Sequence, residues 1–172
     1  AKIGENMTLR RMKYYDLSNS NSFVSGYNHM GGKIVSLVCM KGEAKEANYR
    51  VASDLAMHVT AFSPKYLSSK DIDPKELEQE KEITRKLFRD QGKPAQIIEK
   101  ILIGQMQKFY SEVCLLEQAF VKNPDLSVKK HLKQINPDIS VLEFIKFRLG
   151  EGVEVKKTNL AEEVASQVAS SK

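Results

Sequence analysis

The chain has 172 residues, the size of one domain or of two small lobes that share a core, and its 41% hydrophobic and 28% charged residues are typical of a soluble globular protein. A chain of this length buries about 70% of its extended surface, so it needs neither disulfides nor a metal to fold. Lysine and arginine outnumber aspartate and glutamate by 27 to 22, but they are spread along the chain, which does not favour specific nucleic-acid binding.

The two cysteines and the apolar segments point to a reducing, non-membrane setting. Cys39 lies in the apolar run 38–40, far from Cys114 and outside any C-x-x-C pattern, so we expect a buried, unreactive thiol. No apolar run approaches the ~18 residues of a membrane span, and the polar N-terminus lacks the apolar part of a signal peptide. Because the first residue is not methionine and strand-like sequence begins almost at once, we expect a piece of a longer protein.

The first third of the chain is predicted to contain three strands and a helix. The strands cover 8–15, 23–29 and 33–41. Nearly every residue of 34–40 is apolar, as in a central strand with both faces covered. The helix covers 43–62 and is closed by Pro64.

This helix carries an unusual surface in the stretch D-L-A-M-H-V. With Leu55 at the centre of the buried face, Met57 lies about 200° away, toward solvent. Asp54 and His58 lie one turn apart at the edge of the buried face. The pattern leaves two interpretations: a catalytic pair, or a helix with a second partner beyond its own core.

The middle of the chain predicts an antiparallel helical hairpin. Asp73 and Pro74 start a highly charged helix that runs to Gly92, and a second helix runs from the break at 92–94 to about Tyr110. The second helix has too many apolar residues for one stripe, so we expect it to contact more than one neighbour. The hairpin could serve as a dimerisation device or fold back onto its own core, and the pattern leaves both open.

The last third is predicted to contain strands over 113–121 and 141–149, separated by a short helix over 127–135. Asn159 and Glu162 have the spacing of a capping box that starts a terminal helix. The elements together predict an α+β fold with two small lobes of antiparallel strands and packed helices, plus a projecting helical hairpin. The predicted units are an N-terminal lobe 1–72, the hairpin 73–112, a C-terminal lobe 113–155 and a C-terminal helix module 156–172.

Tests for chemistry give no catalytic, metal or cofactor site. Asp54 and His58 could serve base catalysis, but no nucleophile signature such as G-x-S-x-G accompanies them, and an exposed pair of this kind is usually structural. The run 26–33 resembles a phosphate-binding loop, yet its lysine is displaced and a strand follows it instead of a helix. The three histidines are widely separated and lack the spacing of a zinc site.

RNA binding is the competing interpretation. Tyrosines lie among basic residues in the predicted strands and could stack on bases, and a ribosome-associated module would then make its contacts around Arg10, Arg11 and Lys13. The signature of the commonest sheet-based RNA module is missing. Tyrosines on strands more often belong to a core or an interface.

Six short segments follow one another along nearly the whole chain. They are K-I-G-E-N-M-T-L-R-R (2–11), G-Y-N-H-M-G-G-K-I (26–34), D-L-A-M-H-V (54–59), Q-G-K-P (91–94), C-L-L-E-Q-A-F-V-K-N-P (114–124) and F-R-L-G-E-G-V-E (147–154). Together they resemble the elongation factor Ts family, the guanine-nucleotide exchange factors of elongation factor Tu. Each segment is short, but their shared order makes the resemblance specific.

The resemblance implies a translation factor that binds elongation factor Tu and promotes GDP release by protein–protein contacts, without catalysis or a cofactor of its own. It also implies a cytoplasmic protein, bacterial or from an organellar matrix, and a homodimer through the hairpin. Met57 and His58 become partner contacts, which explains the solvent-facing methionine. The full set of implied contact residues is Ile34, Val35, Met57, His58, Phe120, Val121, Leu160 and Val164.

The chain departs from the family pattern in three respects. The N-terminal helical module and the T-D-F-V segment, which reaches toward the phosphate and magnesium region of factor Tu, are absent from these residues. Val35 and Lys122 stand where smaller or more apolar residues are common. We therefore expect a chain that binds the partner but exchanges nucleotide less efficiently than the whole protein.

Overall fold

A computed structural model describes residues 4, 7–18 and 20–152. The described part contains four α-helices and two antiparallel sheets, one of three strands and one of two, so the predicted α+β class is confirmed. The predicted terminal helix, with Leu160 and Val164, lies outside the described residues. Among the helices that the structure describes, none combines the length and the apolar character needed to span a bilayer.

The larger sheet has the order β1-β2-β5, with β1 at Ser22–His29, β2 at Ile34–Lys41 and β5 at Ser140–Arg148. A short 3-10 turn at Met30–Gly32 joins β1 to β2. β2 pairs antiparallel with both neighbours along its whole length, so the prediction of a central strand is confirmed. Its nearly continuous apolar sequence fits this position, because Val38 and Met40 on one face are buried in the core and Cys39 on the other face is buried as well.

Helix α1, Glu46–Phe62, packs against the larger sheet and forms the main core with it. Leu55 and Val59 are fully buried against apolar side chains that include Phe23, Val38 and Met40. The C-terminal end of α1 is capped from the sheet, since Lys146 Nζ of β5 donates a hydrogen bond of 2.7 Å to the carbonyl oxygen of Thr60. A cation at this end of a helix also opposes the negative end of the helix dipole.

The predicted helical hairpin is confirmed as α2, Pro74–Asp90, followed by α3, Ala95–Val113. The Asp73 side chain caps α2 by accepting a hydrogen bond from the backbone N–H of Lys75 at 2.7 Å. Arg85 of α2 contacts Glu99 of α3 at 3.1 Å, on the other side of the turn, as two antiparallel helices require. Apolar side chains buried in α3 are Ile98, Leu102 and Met106.

The smaller sheet consists of β3, Ala119–Phe120, and β4, Asn123–Ser127, followed by α4, Val128–Ile135. The predicted strand over 113–121 is therefore wrong for most of its length. Val113 still belongs to α3, and Cys114 makes only an isolated bridge to Tyr66. The backbone N–H groups of residues 115 and 116 donate to the loop at 66–67, so this loop supplies the partners that a sheet would otherwise provide.

The predicted strand over 8–15 is also wrong, since residues 7–17 have no regular secondary structure. Side chains attach the segment to β5 instead. Arg11 donates to the carbonyl oxygen of Lys146 at 3.2 Å, and Lys13 pairs with Glu143 at 2.5 Å. Leu9, Met12 and Tyr14 are exposed, and the alternate residues at 13, 15 and 17 are only half-buried, so the segment lacks a fully buried face that would fix it as a strand.

The strand β5 comes from the stretch predicted as the C-terminal lobe, yet it pairs with β2 of the predicted N-terminal lobe. Residues 113–155 and 1–72 thus contribute to one three-stranded sheet, while the hairpin lies between them in sequence. The division of the chain into the four predicted units stays a prediction.

Candidate functional site

The second half of α1 contacts both of the other segments that carry predicted contact residues. Thr60 donates a hydrogen bond of 2.8 Å to the hydroxyl of Ser36, two positions beyond Ile34 at the start of β2. On its other side, His58 bonds the backbone of Val121 in the β3–β4 hairpin. The helix thus brings together three segments that lie far apart in the sequence. We call this region the α1 surface and define it by Met57, Phe62 and Val121. Val35 lies outside it, because Ser36 and Val38 face α1 and side chains alternate along a strand, which puts Val35 on the opposite face of the sheet.

Exposure divides the predicted contact residues into two groups. Val35, Met57 and Val121 are half-buried, so each retains surface that a partner could contact. Ile34, His58 and Phe120 are buried. Leu160 and Val164 belong to the residues that the structure leaves undescribed.

The expectation that His58 lies at the solvent edge of α1 is wrong, because its side chain is 0% exposed. The error arises from the neighbouring hairpin, which covers this side of the helix. Helical periodicity identifies the face that packs on the sheet, but it contains no information about a later segment that returns to cover the flank. Met57, which the periodicity places toward solvent, is half-buried and keeps only part of its surface exposed.

Both ring nitrogens of His58 have protein partners. The backbone N–H of Val121 donates to Nδ1 at 3.2 Å, so Nδ1 carries no proton. Nε2 must then hold the proton, and it lies 2.9 Å from Oε1 of Gln118. The Gln118 amide nitrogen donates to the carbonyl oxygen of Glu112 at 2.8 Å, which fixes the orientation of the amide. The ring is therefore a neutral Nε2–H tautomer with both hydrogen bonds satisfied.

Burial lowers the pKa of His58 below its ordinary value, and the hydrogen bond with Gln118 opposes this only in part. Desolvation dominates because the charged imidazolium loses its hydration inside the protein. A neutral ring also suits the hydrogen bond from Val121, since protonation of Nδ1 would remove the acceptor.

Aromatic rings extend the cluster from α1 to α4. The His58 ring stacks on Phe62 with centroids 4.7 Å apart, and Phe62 is half-exposed. On its other side Phe120 lies 6.0 Å from His58 and 4.1 Å from His131 of α4. Phe120 is thus a buried anchor of the hairpin, and the exposed edge of Phe62 contributes to the α1 surface.

The predicted surface pair of Asp54 and His58 is absent. Asp54 instead pairs with Lys122 in the hairpin, with Oδ1 and Nζ 2.6 Å apart. His58 has no free lone pair for proton abstraction, and the carboxylate that would orient it contacts another residue. This geometry does not support base catalysis at His58.

A groove of about 470 Å³ lies between the end of α3, the end of α1 and the hairpin. Phe62, Phe120, Val121 and Pro124 form its apolar wall, and His58 is not among its lining residues. The groove adjoins Val121, so a partner that contacts this turn would also meet apolar surface beside it.

The basic residues of the RNA interpretation are engaged within the chain. Arg10 and Arg11 both bond Glu151, through its carbonyl oxygen and its carboxylate respectively, and Lys13 pairs with Glu143. Arg11 also lies over the ring of Phe147. These contacts offer no observation that favours phosphate binding over attachment of the N-terminal segment.

Two further expectations concern thiols and metals. Cys39 and Cys114 are both buried, so the prediction of a buried thiol at Cys39 is confirmed. Burial raises the pKa of Cys114 to about 12, which disfavours the reactive thiolate. In the part of the chain that the structure describes, no group of three or more histidine, cysteine or acidic side chains could hold a metal ion.

Gln118, which joins His58 to the end of α3, is not among the residues that the sequence pattern indicates. It is 3% exposed, although glutamine is usually a surface residue. Its position two residues before the F-V turn gave no sign of burial. Its role depends on the burial of His58, which is a property of the tertiary fold.

Comparison with known proteins identifies the family. The model of the family "Elongation factor TS" matches residues 1–151. A similar protein is "Elongation factor Ts" of Halothermothrix orenii, which is 44% identical over a match that covers 98% of this chain and 54% of the relative. "Elongation factor Ts" of Clostridioides difficile is 42% identical over a match that covers 98% of this chain and 56% of the relative. The chain belongs to the elongation factor Ts family, as its six segments predict. It spans about half of the length of these curated relatives.

Proposed function

We propose that this protein is a translation elongation factor that binds elongation factor Tu and promotes release of GDP from it. The observation that carries the proposal is the family match over residues 1–151, together with relatives named elongation factor Ts that cover 98% of the chain. It acts through protein–protein contacts and requires no cofactor of its own. Its predicted location is the bacterial cytoplasm or an organellar matrix.

The α1 surface is the proposed contact region. Met57 combines partial exposure with a flexible, polarizable side chain, and such residues adapt well to a partner. Val121 adds apolar area, and the half-exposed Phe62 supplies the aromatic group that often carries binding energy at an interface. Val35 stays a separate proposed contact on the opposite face of the larger sheet. Phe120 is buried beside His58, and Ile34 is buried at the start of β2, so neither presents surface to a partner in this conformation. Leu160 and Val164 remain proposed contacts of the C-terminal module.

Exchange follows from thermodynamic linkage. A protein that binds factor Tu more tightly when nucleotide is absent weakens nucleotide binding by the same factor. No covalent chemistry is needed, in keeping with the hydrogen-bonded, buried state of His58.

The test is release of fluorescent GDP from factor Tu on addition of this chain. Met57→Glu places a charge in the proposed contact region and should lower the stimulated release rate at least about tenfold, because a buried unpaired charge costs well over 1.4 kcal/mol. Met57→Leu is the matched control, since it keeps an apolar side chain of similar volume, and it should retain most of the rate. An unchanged rate with Met57→Glu would refute the contact assignment.

The helical hairpin supports a second, separate proposal, that two copies of this chain associate through α2 and α3. Several large apolar side chains of the hairpin remain exposed although its helices already pack on each other. Several large exposed apolar side chains on one pair of helices are the kind of feature that an interaction surface contains. The exposed residues are Ile83, Leu87, Ile97 and Ile103.

A further inference from the structure

The turn of the β3–β4 hairpin has little support of its own. β3 contains two residues, and its pairing with β4 shifts register between Ala119 and Phe120. Phe120 pairs with Asn123, so Val121 and Lys122 form a two-residue turn. A two-stranded hairpin is marginally stable by itself even when its strands are longer. The position of this turn therefore depends on contacts from the rest of the protein.

Those contacts come from consecutive turns of α1. Asp54 holds the Lys122 ammonium group at the surface, and His58 accepts the Val121 N–H one helical turn later. The two contacts differ in their surroundings, because the ion pair is partly exposed and His58 is fully buried. A hydrogen bond in the low-dielectric interior is stronger, and its loss leaves a backbone N–H without a partner.

His58 is itself held in place from a third direction. Its Nε2–H bonds Gln118, and Gln118 bonds the carbonyl oxygen of Glu112 in the last turn of α3. The side chains of His58 and Gln118 thus connect α1, the hairpin turn and α3. An imidazole with two satisfied nitrogens and no exposed surface presents no atom to another protein in this conformation.

We propose that His58 is a positioning residue for binding of elongation factor Tu, and that it holds the Val121–Lys122 turn in the orientation that the partner meets. The inference rests on the proposed function and assigns a different task to a residue that the family resemblance implies to be a direct contact. Gln118 shares the task, because it fixes the tautomer and the orientation of the ring. The two residues form one unit, so loss of either releases the turn.

The test compares substitutions that separate the ring from its hydrogen bond. His58→Phe keeps an aromatic ring against Phe62 and Phe120 but removes the acceptor, whereas His58→Asn removes the ring but keeps an amide oxygen near the position of Nδ1. Gln118→Met leaves the imidazole in place and removes its partner. The 172-residue chain and each variant are titrated into nucleotide-free factor Tu to measure the dissociation constant of the complex. The position of the Val121 amide resonance is measured for each chain by ¹⁵N–¹H NMR.

We expect His58→Phe to raise the dissociation constant about tenfold and to shift the Val121 amide resonance upfield, since an unpaired buried N–H costs about one tenfold step in an equilibrium. Gln118→Met should have an effect of similar size. The double variant should bind no more than about twofold more weakly than either single variant, because the two residues act through one hydrogen-bond chain. The Val121 amide resonance of the His58→Asn variant should lie closer to that of the unmodified chain than the resonance of the His58→Phe variant does.

The possible failures are distinguishable. If the unmodified chain does not bind factor Tu, the proposed function is overturned and the inference with it. If the unmodified chain binds and Gln118→Met does not weaken binding, the positioning role is overturned and the proposed function stands. A weaker complex with His58→Phe, without a change in the hairpin resonances, would also overturn the inference and would favour direct contact. Should His58→Phe fail to fold, Gln118→Met provides the same comparison with the ring intact.

Discussion

Lys122 in the turn of the β3–β4 hairpin lies 2.6 Å from Asp54 in α1, measured between Nζ and Oδ1. The pair replaces the Asp54/His58 pair that the i, i+4 spacing suggests. Within the described residues, this ion pair and the buried His58 together attach the turn to α1.

We predict that Lys122→Met changes the free energy of unfolding by less than about 1 kcal/mol. Both partners are partly exposed, and ion pairs in such positions contribute little because water and salt screen them. Urea denaturation at low and high salt measures the effect, and Asp54→Asn with the double variant completes the cycle. A coupling energy above about 2 kcal/mol would show that the pair stabilises the turn far more than its exposure allows.

The lowered pKa of His58 predicts a loss of stability on mild acidification. Below a pH of about 6.5 the unfolded chain binds a proton at this ring, while the folded chain keeps it neutral. The unfolded state then holds more protons, so the free energy of unfolding falls as the pH falls, until the folded pKa is reached. The slope from this one group cannot exceed about 1.4 kcal/mol per pH unit.

Urea denaturation across this pH range measures the slope, and His58→Phe is the control. The variant retains His29 and His131, so the difference between the two curves isolates His58. We expect a flatter pH dependence in the variant. Parallel curves would show that His58 does not couple folding to protonation.

Substitution by alanine at two glycines should change the free energy of unfolding in opposite directions. Gly42 follows β2 with a φ of 129°, and an added Cβ would lie 2.8 Å from Cγ2 of Ile139. Gly42→Ala should therefore cost roughly 2 kcal/mol or more in strain and overlap. Gly104 lies inside α3 with nothing within 4 Å of an added Cβ, so Gly104→Ala should stabilise by about 0.5–1 kcal/mol through helix propensity.

Thermal and urea unfolding of both variants provide the measurement. Each variant serves as the control for the other, because the chemical change is the same methyl group. Equal effects at the two positions would contradict the backbone argument for Gly42.

The sequence predicted those helices and strands whose formation depends mainly on neighbouring residues. The cap at Asp73, the apolar run of β2 and the breaks around the hairpin all depend on neighbours in sequence, and the structure has these elements close to their predicted bounds. The segment 8–15 has the alternation of a strand, but a strand needs a paired edge, and side-chain contacts attach this segment to β5 instead. Pairing partners are a property of the tertiary fold and are not visible in the alternation itself.

In the candidate site, too, some features follow from the local sequence and others depend on the tertiary fold. Met57 lies off the face of α1 that packs on the sheet, as periodicity predicts, but it is half-buried instead of fully exposed. His58 is buried because a hairpin more than 60 residues later returns to the flank of the helix. The contact between α1 and the turn depends on Gln118 and Val121, and nothing in the local sequence of either segment indicates the other.

The last prediction concerns self-association through the hairpin. Ile83 and Leu87 are 63% and 55% exposed and lie one turn apart on the same face of α2. If two copies pair through this face, the double variant Ile83→Glu with Leu87→Glu should raise the dimer dissociation constant at least about 100-fold, since each buried apolar side chain contributes about 1.5–3 kcal/mol. Lys86→Glu is the control, because it adds a glutamate at a neighbouring exposed position without removing apolar surface. Sedimentation equilibrium over a range of concentrations measures the mass, and an unmodified chain that stays monomeric throughout would contradict the proposed association.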